Sequence, residues 1–315
     1  MKVFVTGGSG FIGRALCREA IARGHSIRTV VRSMGKAAIL PKEIEIFEID
    51  SISANTDWTH LLKEIDFVVH LAAAVHVTDR SSRTFSDLRN VNVAGTERLA
   101  MSAVRAGVKR FIYISTAKVH GEERQTPYQE EDMPAPEDDY SISKWKAEQN
   151  LRKTATGTSL EFVILRPPLV YGPAVKANFL KLMNLVETRI PLPFKQIQNR
   201  RSMIYVGNLV DIIITCLSNP RASGQTFLVS DDHDTSTPDL ITSIASAMGI
   251  KPILFPLPPA LLNSICKLLG KGDEIEKLIG SLCVDINKVK SLLSWKPPFT
   301  FEEGIRETVK FFKET

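Results

Sequence analysis

Tyr140 and Lys144 stand four residues apart where a helical pattern begins, which places both side chains along one face of that helix. An ammonium close to a phenol stabilises the phenolate, so such a tyrosine can take and give protons nearer neutrality than its ordinary value of about 10 allows. A third group, Thr116, follows the apolar run RFIYI in RFIYISTAKVHG. The carboxyl ends of parallel strands form a ligand crevice, and a hydroxyl there can hydrogen-bond a substrate oxygen beside the tyrosine. The same threonine can equally cap a turn, and Y-x-x-x-K spacing arises often by chance.

A second feature points to what would share that crevice. In KVFVTGGSGFIG, residues 2–13, Val3, Phe4 and Val5 read as a buried strand. Glycines follow at Gly7, Gly8, Gly10 and Gly13, and 11–23 continues with helical spacing through Ile12, Leu16, Ala20 and Ile21. Strand, glycine turn and helix start expose a cluster of backbone N–H groups to a phosphate, and the helix dipole adds favourable potential. Gly13, one turn in, lets the helix pack close to the sheet. A G-x-G-x-x-G in this context reads as a dinucleotide site, against the plainer reading of a glycine-rich turn.

These groups need elements to hold them, and the alternation of patterns supplies a parallel, doubly wound sheet. Strands are expected at 26–31, 44–49, 67–70, 110–114 and 160–165, with helices at 86–106 and 141–156. A polar loop, 121–139, lies before the second of these helices; it is either mobile or an edge of the active site. After Tyr171-Gly172-Pro173 the alternation ends. Helices are expected at 177–186, 208–217 and 238–248 and a strand at 226–229, with 285–293 and 301–312 completing a C-terminal lobe. The segment 260–269 is apolar nearly all round, which suits a packed helix better than a membrane-surface one. The expected fold is therefore α/β: a Rossmann-type doubly wound parallel sheet over 1–170, with further core elements from about 200–230, and a smaller C-terminal α/β substrate-binding lobe, mainly 171–315.

Bulk properties agree. A chain of 315 residues can bury one large α/β core with a smaller satellite. With 43% hydrophobic and 24% charged residues, the composition argues against disorder and against a membrane class. The net charge of +5 is scattered, without the basic runs of a nucleic-acid binder, and suits an anionic small molecule. The chain enters a strand at once and has no apolar run of membrane-spanning length, so a cytoplasmic enzyme without signal peptide or membrane insertion is expected. Cys17, Cys216, Cys266 and Cys283 lack C-x-x-C spacing and read as thiols in a reducing compartment. The six histidines show no ligand spacing, and no metal is expected.

Taken together, TGGSGFIG (6–13), HLAA (70–73), NVAGT (92–96), Ser115-Thr116, YSISK (140–144) and RPPLVYGP (166–173) resemble the extended short-chain dehydrogenase/reductase family, the nucleotide-sugar epimerase and dehydratase group. The resemblance covers nearly the whole chain. It implies that Thr116 orients the substrate oxygen, Tyr140 transfers the proton, and Lys144 also holds the nicotinamide ribose. It further implies cofactor contacts at Gly7, Gly10, Phe11, Ile12 and Gly13, at Asp50 and Ser51 on the adenine side, and at Leu71, Ala72 and Ala73. Asn92 would be a polar support, and Arg166 and Pro167 would pass the nicotinamide. Substrate contacts fall on Lys118, Asn178 and Arg201, with Arg200 a second candidate for the diphosphate.

Two departures bear on function. Family members that prefer NAD usually carry an acidic residue at the end of the second strand, where this chain has Val31-Arg32. An arginine there suits the 2′-phosphate of NADPH, with Arg14 a possible helper, although a surface charge is the plainer reading. Leu169 replaces the asparagine often found after the sixth strand. STAKVHGE, the NRRSM–NLVD segment, QTFLVSDD and LLSWKPP look like the UDP-4-keto-6-deoxy-N-acetylhexosamine reductases of bacterial polysaccharide assembly. The leading expectation is thus an NADPH-dependent 4-keto reductase acting on a UDP-sugar, as a homodimer. The alternative is an NAD-dependent UDP-sugar 4-epimerase, since the same three residues serve both reactions. A non-catalytic NAD(P)-sensing regulator and a sugar-free carbonyl substrate are the remaining readings.

Overall fold

The computed structural model of the chain describes residues 1–75, 85–124, 126–268 and 278–315. Its strands, in order, are β1 (Lys2–Thr6), β2 (Ser26–Val31), β3 (Glu45–Glu48), β4 (Phe67–His70), β5 (Arg110–Ile114), β6 (Glu161–Arg166), β7 (Leu169–Tyr171), β8 (Arg201–Tyr205), β9 (Gln225–Leu228) and β10 (Asp234–Thr235). Seven form one parallel sheet in the order β3-β2-β1-β4-β5-β6-β9. The chain winds outward from β1 in one direction and from β4 in the other, so the topological switch point falls between β1 and β4.

Alternation along β1 divides the core. Val3 and Val5 face the cluster that holds helix α1 (Phe11–Ala22) and the apolar side of Val206–Ser218, whereas Phe4 faces the opposite side. There it meets Trp58 edge-on, with ring centroids 5.8 Å apart, among Leu99, Ala103, Ala147 and Leu151 of the two helices that cover this face. Both ring systems are fully buried, and burial of such a side chain contributes roughly 1.5–3 kcal/mol. Sequence and structure agree on every strand of this sheet to within a residue or two; the inner strands, covered on both faces, read as apolar runs, whereas the edge strand β3 is exposed at both ends.

The long helix expected at 86–106 is present but not regular. It runs as Phe85–Leu88, a π-helical turn Arg89–Ala94, and Gly95–Arg105. The Gly95 amide reaches back five residues to the Asn90 carbonyl, and the Thr96 hydroxyl donates to the Asn92 carbonyl at 2.6 Å. Gly95 has to be small here, since a Cβ would lie 2.6 Å from the Ile52 side chain.

Beyond β6 the chain builds a second, three-stranded sheet in the order β10-β8-β7, which the sequence reading did not contain. A short extended segment, 281–285, continues it: Leu282 exchanges backbone hydrogen bonds with Arg200 (3.0 Å) and Ser202 (2.9 Å). The far side of that segment takes the polar loop. Tyr128 donates to the Cys283 carbonyl and accepts from the Asp285 amide, both at 2.8 Å, and Arg124 donates to the Ser281 carbonyl at 3.3 Å. The loop 121–139 is therefore a wall stitched into the C-terminal half.

Asp231, directly after the β9 segment, joins the two halves. Its Oδ1 accepts from the Tyr205 amide (2.8 Å) and Asn208 Nδ2 (2.7 Å), and its Oδ2 accepts from the Tyr171 hydroxyl (2.7 Å). Cys17, Cys216 and Cys283 are buried free thiols; the side chain of Cys266 lies outside the described residues. Among the described residues no helix is long and apolar enough to cross a membrane.

Candidate active site

Because the large sheet is parallel, the carboxyl ends of its strands share one edge, and the glycine turn, Leu71–Ala73, Thr116 and Pro167 follow strand ends there. Gly7 adopts φ +75°, a left-handed conformation that glycine takes without strain, and a Cβ on it would lie 2.9 Å from the Ala72 amide nitrogen. Helix α1 begins after Gly10 with no side-chain cap, so the amides of Phe11, Ile12 and Gly13 precede its first i→i−4 bond. A Cβ on Gly13 would stand 2.1 Å from the Gly7 carbonyl oxygen. This is a cradle that fits a dinucleotide pyrophosphate: open amides, positive helix end, and no side chain able to fill it.

The flanks of the cradle are consistent with the rest of such a cofactor. Leu71–Ala73 follow β4 beside Gly7, with Leu71 and Ala72 amides donating to Thr6 at 3.2 and 3.3 Å. Arg32 is exposed just past β2, where it meets no hydrogen-bond or ion-pair partner among the described residues, and Asp50 and Ser51 are exposed just past β3. Pro167 is buried past β6, and its carbonyl accepts from the Ala117 amide at 2.8 Å, which brings the β6 end against the Thr116 turn. Arg166 does not line this edge. Its guanidinium is buried against Glu148 in a two-pronged ion pair (3.0 and 2.6 Å) and donates to His120 Nε2 at 2.8 Å. An unpaired carboxylate as deep as Glu148 would be costly, and the pairing draws Arg166 inward.

Thr116 lies two residues beyond β5 and is both of the things its position allows. Its hydroxyl caps the 3-10 turn Ala117–His120 by accepting from the Lys118 amide at 3.3 Å, and its place past the end of β5 puts it at the carboxyl edge of the sheet. Tyr140 occupies the first turn of the helix Asp139–Ala155, whose cap is Asp138: Oδ1 accepts from the Ser141 amide at 2.6 Å and the Ser141 hydroxyl closes a capping box. Asn92, as expected, is a buried polar support. It binds both backbone groups of Ala74 (2.7 and 2.9 Å) and donates to Ser143 Oγ, which itself donates to the Tyr140 carbonyl. The β4 end and the tyrosine's helix are thereby fixed to one another.

Lys144 is fully buried, its Nζ 4.1 Å from the centre of the Tyr113 ring. Burial pulls its ammonium down to about 7, against the opposing charge of Glu148. Burial also pushes the Tyr140 phenol up to about 12, and the Asp138 carboxylate adds to the rise. Both effects favour the protonated phenol at neutral pH.

The substrate residues separate. Arg201 opens β8 beside the 281–285 segment, and burial lowers its guanidinium against the opposing charge of Glu122. Asn178 is exposed in the first turn of Ala177–Glu187, and Arg200 is turned to Asp234 at 2.9 Å. Lys118 is held by two carboxylates, Glu122 and Asp138, the latter at 3.2 Å. Asp138 escaped the sequence reading, as did the His70 network: Thr6 Oγ1 lies 2.6 Å from His70 Nδ1, and Thr96 Oγ1 lies 2.9 Å from Nε2.

Comparison with known proteins places this arrangement. The profile of the NAD dependent epimerase/dehydratase family matches residues 3–230. Over 315 aligned residues the chain is 43% identical to a UDP-glucose 4-epimerase of Vibrio cholerae, covering 99% of this chain and 95% of that one. A crystal structure of the Thermotoga maritima UDP-glucose 4-epimerase with UDP-glucose superposes with a TM-score of 0.79 at 25% identity, over 100% of this chain and 99% of that one. The Bacillus cereus UDP-glucuronic acid 4-epimerase in complex with NAD shares the fold, with a TM-score of 0.80 at 22% identity and the same coverage.

Proposed function

The chain belongs to the NAD dependent epimerase/dehydratase family, and on that footing we propose that it is a UDP-sugar 4-epimerase of the UDP-glucose type with NAD as its cofactor. The observation that supports this reading is 43% identity over nearly the whole chain to a UDP-glucose 4-epimerase, beside Thr116 two residues past β5 and Tyr140 and Lys144 on the helix that Asn92 ties to the β4 end. Relatives with that description support the epimerase over the 4-keto-sugar reductase that the C-terminal motifs suggested.

NAD, when bound, supplies the acceptor and donor of hydride at C4. It would be held by the amides of Phe11–Gly13, the small residues Leu71–Ala73, Pro167 and Lys144, with Asp50 and Ser51 at the adenosine end. The protein's part is the proton. Tyr140 takes it from the C4 hydroxyl as a base and returns it to the oxygen afterwards as an acid, so no net proton is consumed. Thr116 fixes that oxygen, and the Lys144 charge favours the phenolate. Arg201 and Asn178 would bind the diphosphate, leaving residues 1–170 mainly to the cofactor and 171–315 mainly to the sugar nucleotide. We take the assembly to be a homodimer, which light scattering of the purified protein tests.

Incubation with UDP-glucose should yield UDP-galactose, and Tyr140→Phe should lower kcat by about 10²–10⁴-fold while leaving cofactor binding intact. Full turnover in that variant overturns the assignment. A second reading rests on Arg32, whose exposed position suits a 2′-phosphate. Release of NAD on denaturing the purified protein supports the epimerase; a preference for exchangeable NADPH transfers the same proton machinery to 4-keto reduction.

A further inference from the structure

We propose that Lys118 is a positioning residue for proton transfer: its ammonium clamps the turn that carries Thr116 to the carboxylate that caps the Tyr140 helix, and offsets that carboxylate's charge at the phenol. The proposal rests on the reading of Tyr140 as the proton carrier.

The geometry is a bridge between two elements far apart in sequence. Lys118 belongs to the 3-10 turn after β5, and its amide is bonded to Thr116 Oγ1. Its side chain crosses to Asp138, whose two oxygens have separate tasks. Oδ1 accepts from the Ser141 amide at 2.6 Å, and Oδ2 lies 3.2 Å from Lys118 Nζ. The lysine and aspartate side chains are 31% and 40% exposed, so their attraction is weaker than a buried pair's but screened less than a fully solvated one's. Tyr140 is two residues past Asp138. Burial raises the Tyr140 phenol most, and the Asp138 carboxylate adds to the rise. In the proposed role the Lys118 ammonium, held 3.2 Å from that carboxylate, offsets the added part.

Other charges in reach are accounted for. Glu122, two residues past that turn, makes the closer of the two carboxylate contacts with the ammonium, also faces the Arg201 charge, and donates its own amide to the Glu137 carboxylate. Lys144 lies one helical turn beyond Tyr140, and Tyr113 and Glu148 lie on the sheet side. Only Lys118 among these joins the threonine's turn to the tyrosine's cap. A substrate phosphate would have to displace a carboxylate to reach it, which argues against the direct substrate contact that the family resemblance implied.

The test uses the NAD-loaded protein with UDP-glucose as probe, and compares Lys118→Met, Lys118→Arg, Asp138→Asn and the double variant Lys118→Met/Asp138→Asn. Two quantities are read: the acidic limb of kcat/KM, and the ultraviolet phenolate titration of Tyr140 obtained by subtracting the Tyr140→Phe spectrum in each background. Lys118→Met should move both upward by about one pH unit, a tenfold loss of kcat/KM below the limb. Asp138→Asn, which keeps a capping side chain, should move both downward. The double variant should return to within a few tenths of a unit of the parent, and Lys118→Arg should stay there. A raised KM with an unmoved limb overturns the proposal and makes Lys118 a substrate ligand; so does a double variant that fails to recover. Full turnover in Tyr140→Phe removes the proton-carrier reading itself, a result distinct from either.

Discussion

His70 shows how a single buried side chain can be fixed in one protonation state. The Thr96 hydroxyl gives its proton to the Asn92 carbonyl, so towards His70 it can only accept, and Nε2 must carry the imidazole hydrogen. Nδ1 then accepts from Thr6, whose oxygen in turn receives the Ala72 amide. A second proton has no place to point, and burial, aided by the Lys144 charge, brings His70 down to about 3. The consequence for stability has a definite sign. Below about 6.5 the unfolded chain binds a proton at this residue that the folded chain refuses until about 3, so stability falls as pH drops through that window. His120, brought down to about 4 mainly by burial, adds to the loss. Denaturant unfolding between pH 6 and pH 4 should lose stability with a contribution from His70 approaching 1.4 kcal/mol per pH unit. In His70→Leu, less stable at pH 7, that part of the slope should vanish; an unchanged slope refutes the assignment.

At the scale of elements, the long helix with its π-helical turn acts as a bracket between the chain after β4 and the helix that carries Tyr140. Asn92→Ala strips the Ala74 amide and carbonyl of their partners and frees Ser143, for a cost of about 2–4 kcal/mol that thermal unfolding would read. It should also loosen Tyr140, so kcat should fall more than cofactor affinity. Here the limits of the sequence become physical. The inner strands of the large sheet are legible because both faces are covered, and Thr116, Tyr140 and Lys144 are legible because their spacing is local. The second sheet is not. Leu169–Tyr171 is too short to show a period, Arg201–Tyr205 reads as a basic motif, and 281–285 gains its extended form only from partners about 80 and 155 residues away. The same holds for Asp138, whose role depends on a lysine across the crevice, and for the loop 121–139, whose polar composition hides the pairing that fixes it.

For the whole molecule, the join between halves rests on a carboxylate. Burial holds the Asp231 carboxyl above the usual range, against the hydrogen bonds from Asn208, Tyr205 and Tyr171 that favour its charge. Asp231→Ala takes the shared acceptor from the Tyr205 amide, Asn208 Nδ2 and the Tyr171 hydroxyl in a site 7% exposed. The hydroxyl keeps a second acceptor, the Phe301 carbonyl at 3.3 Å, and the substitution should cost about 3–5 kcal/mol in urea unfolding. Asp231→Asn, which keeps the shape, should cost less. The stitched wall beside Arg201 has a consequence for how the protein is made. Strand β9, the last of the large sheet, is complete at Leu228, whereas the wall needs residues out to Asp285. At synthesis rates of about 5–20 residues per second, the second follows the first by roughly 3–12 s. A ribosome-bound chain can therefore hold a complete seven-stranded sheet, glycine turn included, while the bank that borders Arg201 is still being translated.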